Sequence, residues 1–130
     1  MKEITIPVKM AFYGTLRKGF DFHEQIKANL KFIGLSELKG YSMYDLGAYP
    51  CLIYTSEPSE KVLVELYEVL TEQTWNMIDD IERAAGYHLE EIYIQGERFG
   101  IYLFKEIKFG TLKVISGDWK VYSENTKYNF

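Results

Sequence analysis

The stretch Val62-Leu63-Val64-Glu65-Leu66-Tyr67-Glu68-Val69 places six apolar side chains in eight positions, too continuous a pattern for a strand with one wet face. Such a run needs cover on both sides, which puts it inside a sheet rather than at its edge. The segment after it reads as a helix. Thr71 is placed to cap it, Glu72 stands where the helix dipole favours negative charge, and Gly86 stops it, giving a span from Glu72 to about Ala85. Trp75, Ile78, Ile81 and Ala85 form its apolar stripe. At ~100° per residue, Glu82 falls on that stripe between Trp75 and Ile78. A carboxylate facing a core loses hydration worth on the order of several kcal/mol unless a partner compensates. Two readings of Glu82 follow: an edge residue paired with Arg17 or a lysine, or a desolvated group kept for chemistry.

The remaining elements alternate around this pair. Val8 to Tyr13 is a first strand that breaks at Tyr13-Gly14-Thr15-Leu16, ahead of a helix opening at Asp21. Backbone N–H groups in such a break lack ladder partners and can converge on an anion or a polarised carbonyl. Gly14 either lets the backbone approach a ligand or takes a conformation closed to other residues. Asp21 and Glu24 have capping-box spacing, and Phe22, Ile26 and Leu30 form a short stripe, with His23 read as a first-turn surface residue. Strands are expected over Phe32–Leu38 and Tyr41–Leu46, then after the Gly47–Pro50 loop as far as Tyr54. Glu57-Pro58-Ser59-Glu60 is a turn. Further strands run over Glu91–Ile94 and Gly100–Phe104, around a turn at Gln95-Gly96-Glu97, with a last short one at Val114–Ser116. The tail from Tyr122 to Phe130 is polar with scattered aromatics, and its docking is left open. Aromatic strand ends at Tyr13, Tyr67 and Tyr93 are expected to surround one cavity.

No repeat, linker or low-complexity run divides the 130 residues, so residues 1–130 read as one α+β domain. A net charge of -4 argues against a general nucleic-acid binder. The single cysteine, Cys51, excludes an internal disulfide and reads as a small buried apolar group. As a nucleophile it would need a base beside it, and no His lies nearby in sequence. His23 and His88 have no metal-ligand spacing. With no apolar leader and no stretch of membrane-spanning length, the default expectation is a soluble cytoplasmic protein with no membrane partner. Its oligomeric state stays open.

Five motifs in a fixed order resemble the gamma-glutamylcyclotransferase-like family, specifically its gamma-glutamylamine cyclotransferase, avirulence-induced-gene-like branch. They are Phe12-Tyr13-Gly14-Thr15-Leu16-Arg17-Lys18-Gly19, Gly47-Ala48-Tyr49-Pro50, the Val62–Val69 strand, Ile78-Asp79-Asp80-Ile81-Glu82 and Ser116-Gly117-Asp118-Trp119. The resemblance spans Lys9 to Tyr122. It implies a small mixed β-barrel with packed helices and a site between the opening loop and the acidic helix. It also implies that Glu82 is the general acid/base and that Tyr13, Gly14, Thr15 and Leu16 bind the glutamyl portion. Two positions depart from the family pattern: Glu65 stands where the strand has glycine, and Tyr87 is followed by His88 and Leu89 where an arginine is usual.

The implied reaction has a small-molecule gamma-glutamyl substrate as its partner and needs no covalent nucleophile, metal or cofactor, for which this chain offers little. The α-amine of a gamma-glutamyl compound can close on its own side-chain carbonyl, releasing 5-oxoproline and an amine or amino acid. Well-oriented intramolecular attack reaches effective molarities of about 10⁵–10⁸ M, leaving mainly proton transfer to the protein. Two alternatives stand beside it: a non-catalytic small-molecule binding module on the same fold, and a biosynthetic gamma-glutamyl deacylase.

Overall fold

The computed structural model describes residues 5–57 and 59–127. In chain order these form β1 (Val8–Phe12), α1 (Asp21–Ile26) running into a 3-10 turn (Lys27–Asn29), β2 (Leu30–Lys39), β3 (Tyr41–Asp45) and β4 (Pro50–Tyr54). β5 (Lys61–Val69), α2 (Glu72–Ala84), β6 (His88–Ile94), β7 (Glu97–Leu103), β8 (Leu112–Lys113) and α3 (Trp119–Lys127) follow. The class is α+β, as expected. Five strands make one sheet in the order β2-β5-β1-β7-β6, and three make another in the order β4-β3-β8. β1 and β7 are parallel; the other pairs are antiparallel. The sheets do not close into the barrel that the resemblance implied. They meet instead through single backbone bonds, Phe104 N–H to Leu52 O at 2.9 Å and Leu63 N–H to Gly117 O at 2.9 Å.

β5 holds the interior position its composition demands, with β2 on one side and β1 on the other. Val62, Val64 and Leu66 are buried on one face, and so are Glu65, Tyr67 and Val69 on the other. α2 begins at its predicted cap, where the Thr71 hydroxyl accepts from the Thr74 N–H at 3.2 Å. It ends with Ala85 as C-cap before Gly86. Trp75 and Ile78 are buried as the stripe requires, but Ile81 is 46% exposed. The last turns of α2 stand over the rim of a cavity instead of on the sheet, so Ile81 flanks an opening.

Other expectations need correction. The Asp21 side chain makes no cap: Phe20 is the N-cap residue, without a side-chain cap bond, and Glu24 pairs with Lys27 at 2.7 Å instead. Leu30, expected in the helix stripe, begins β2. The last strand is Leu112–Lys113, opposite Asp45 and Tyr44, because Ile115 already points to solvent as the chain turns towards Gly117. The tail is helical through Lys127, and Tyr122 donates to Asp45 Oδ2 at 2.7 Å; residues 128–130 and Pro58 lie outside the described residues. Among the described residues, no helix is long and apolar enough to cross a membrane.

Candidate active site

The break after β1 is a turn closed by the Arg17 N–H on Gly14 O at 3.0 Å. Among the described residues, the backbone N–H groups of Thr15 and Leu16 make no hydrogen bond within the protein. The turn forms one wall of a cavity of about 120 Å³. Tyr13, Gly14, Thr15 and Leu16 all line it, and Glu82 faces them from the last turn of α2. Tyr49, Tyr87 and Tyr102 complete the enclosure. The five residues singled out from sequence therefore share one cavity. The two other expected tyrosines do not: Tyr67 lies on the far side of the loop, and Tyr93 is 70% exposed on β6. Tyr93 alternates with inward-facing neighbours on an edge strand, which turns its ring to water.

Gly14 is needed for a reason internal to the protein. Its φ is not left-handed, but a Cβ there would lie 2.9 Å from both Pro50 Cδ and Cγ. The glycine lets the opening turn pack directly on the Tyr49-Pro50 segment. Tyr87 secures the same segment from the other side by donating to Pro50 O.

Glu82 has no ion pair and no side-chain hydrogen bond among the described residues. Burial pushes its carboxyl up to about 7. The partner that a structural role would require is committed elsewhere. Arg17, 4% exposed, places Nε 2.9 Å from Glu65 and Nη1 2.9 Å from Asp118. The phenols around Glu82 stay protonated, since burial raises Tyr13, Tyr87 and Tyr102 well above the usual range. Their protons are directed: Tyr13 donates to Tyr102 O at 2.6 Å, and Tyr102 donates to Asp79 Oδ1 at 2.7 Å. Cys51 is fully buried, and burial lifts its thiol to about 11, far from a working thiolate.

A family model described as gamma-glutamyl cyclotransferase, AIG2-like, matches residues 10–121. The chain belongs to this family. A Methanocaldococcus jannaschii protein named "Putative gamma-glutamylcyclotransferase" is 34% identical over 115 residues, covering 85% of this chain and 93% of its own. One of the same name from Pyrococcus horikoshii is 39% identical over 85 residues, covering 65% and 68%. The crystal structure of that Pyrococcus protein superposes with a TM-score of 0.74 at 29% identity, over 95% of this chain and 99% of the other. A mouse AIG2-like protein shares the fold at a TM-score of 0.66 and 20% identity, over 79% and 80%.

Within this AIG2-like domain, the loop is held by a residue that sequence reading treated only as a departure. Glu65 accepts from Arg17 Nε at 2.9 Å, the Lys18 N–H at 2.8 Å and Tyr67 at 2.8 Å. Burial pushes its carboxyl up, but these bonds outweigh burial and hold it below the usual range. Its position follows from register, because Glu65 is the partner of Phe12 where β1 ends. Asp118 completes the clamp and also accepts from the Lys120 and Val121 N–H groups, capping α3. A charged residue inside an apolar strand was the available signal; its match, Arg17, stands 48 residues away in the loop. His23 was misread as a surface residue. It is buried, with Nδ1 2.7 Å from Leu16 O, because the strand break leaves that carbonyl needing a donor.

Proposed function

We propose that this chain is a cyclotransferase that releases 5-oxoproline from a gamma-glutamyl amine or amino acid, with Glu82 as general acid/base. The observation that carries the reading is a partnerless, desolvated carboxylate facing a turn with unpaired N–H groups in one small cavity. The glutamyl portion sits against Tyr13, Gly14, Thr15 and Leu16. Its α-nitrogen attacks the side-chain carbonyl carbon, forming the ring C–N bond. The C–N bond to the leaving amine then breaks. Glu82 takes the proton lost by the attacking nitrogen and returns one to the departing nitrogen. A group titrating at about 7 can do both near neutrality. The Thr15 and Leu16 N–H groups donate to the oxygen on which charge develops.

The test is Glu82→Gln, assayed for both turnover and melting temperature with a panel of gamma-glutamyl amino acids, gamma-glutamyl amines and ε-(gamma-glutamyl)lysine. Turnover should fall at least ~10²-fold, the low end for general acid–base catalysis. Melting temperature should hold or rise, since a neutral amide replaces a desolvated carboxylate. An active but destabilised variant overturns the assignment. Release of glutamate in place of 5-oxoproline assigns the chain to the deacylase class.

A further inference from the structure

A second cavity, about 400 Å³, lies on the other side of the loop that walls the first. Lys18, Lys27 and Lys120 stand around it, beside an apolar wall that includes Phe32 and Leu35, 56% and 62% exposed. Two of the lysines have one contact each, Lys27 to Glu24 at 2.7 Å and Lys120 to Lys18 O at 2.9 Å. An ammonium has three donors, so both retain protons for a ligand. The carboxylate in the wall, Glu65, is already met by Arg17, Lys18 N–H and Tyr67. The local balance is positive.

His23 supplies an independent pointer. It is 5% exposed, and its ring lies against Tyr67 at 5.4 Å between centroids. A carbonyl can only accept, so the bond to Leu16 O fixes a proton on Nδ1. Nε2 makes no hydrogen bond with the protein among the described residues and is not sealed from the cavity. A neutral ring presents a lone pair there, and a protonated ring presents an N–H. A phosphate monoester can meet either, since it carries charged oxygens and, as the monoanion, a P–OH.

We propose that this cavity binds a phosphate monoester of a flat apolar group. The phosphoryl oxygens meet Lys18, Lys27, Lys120 and His23 Nε2, and the apolar part covers Phe32 and Leu35. The loop then separates two ligands: Leu16 lines the first cavity while its carbonyl holds His23 at the second. Occupancy should therefore shift KM in the first cavity, a consequence that rests on the proposed cyclotransferase activity; binding itself does not.

The probe is phenyl phosphate, titrated into the full chain while the His23 ring resonances are followed by NMR. The expected result is a saturable shift, with Kd raised at least about tenfold in Lys18→Met/Lys27→Met. Both substitutions are at exposed side chains and should leave melting temperature unchanged, and Glu82→Gln should bind phenyl phosphate like the wild type. A shift that does not saturate, or an affinity unchanged in the double variant, overturns the site. Equal affinity for benzoate overturns the choice of phosphate, and equal affinity for inorganic phosphate overturns the apolar contact. With active enzyme, saturating phenyl phosphate should change KM in the wild type and not in the double variant; an unchanged KM overturns the coupling. A chain that binds phenyl phosphate yet releases no 5-oxoproline keeps this site and refutes the cyclotransferase reading.

Discussion

Glu82 and Gly14 set the cavity from opposite walls, and each constrains what substitution can do. The Glu82 carboxyl titrates at about 7 when folded against an ordinary value of 4.5. Between those values the folded state holds more protons than the unfolded chain, so this residue's contribution to stability declines as pH rises through that window. Glu82→Gln lacks the effect. The two proteins should melt alike near pH 4.5, and the variant should gain over the wild type until pH passes 7, as thermal unfolding at several pH values will show. If Glu82 is the base, as proposed, turnover should have an acid limb near the same value, because the carboxylate must be ionised to accept a proton. Gly14→Ala tests the other wall. Its Cβ displaces Pro50, so KM should rise several-fold with a small loss of melting temperature. An alanine variant with unchanged KM would remove the turn's packing on Pro50 from the account of binding.

The clamp on the loop joins three elements: β5 through Glu65, the opening turn through Arg17 and Lys18, and α3 through Asp118. Removing one partner of a buried pair strands the other charge, so Arg17→Met should cost about 3–5 kcal/mol in denaturant unfolding. Arg17→Met/Glu65→Met removes both charges and should recover part of that stability, because apolar replacements of a buried pair can be close to neutral. It should not recover KM, since Lys18 N–H loses the acceptor that positions the turn. Equal recovery of stability and KM would show that the clamp is structural alone. α2 and β5 were legible in the sequence because their signals are local: a cap, a stop and a continuous apolar run. Glu82 was legible because a charge on an apolar stripe is anomalous whatever the fold. The clamp was not, since Arg17 and Asp118 are 101 residues apart and no periodicity links them. For the same reason, Arg17 could be read as a partner of Glu82.

At the scale of the molecule, the two sheets and the terminal helix depend on a few crossings between distant segments. One of them involves Gly117, whose N–H and carbonyl bridge Val114 O and Leu63 N–H at 3.1 and 2.9 Å. A Cβ there would lie 1.9 Å from Lys61 O, and its φ of 67° is already costly for other residues. The sequence resemblance marked Gly117-Asp118-Trp119 as a late motif without saying what it does. Its chemistry is architectural: the glycine permits the crossing, Asp118 both caps α3 and holds Arg17, and Trp119 is buried. The α+β class held while the barrel that the resemblance implied did not close, because closure is decided by where such crossings fall. Gly117→Ala should push the turn before α3 off β5, taking Asp118 from Arg17 and loosening the turn beside Glu82. The expected outcome is a marked fall in melting temperature with one cooperative transition, together with a raised KM for the proposed gamma-glutamyl substrate. Near-UV circular dichroism and hydrogen exchange at Leu63 and Lys18 would follow the two ends of the chain of contacts. Loss of protection at Leu63 with Lys18 still protected would show that the crossing stabilises the fold without positioning the site.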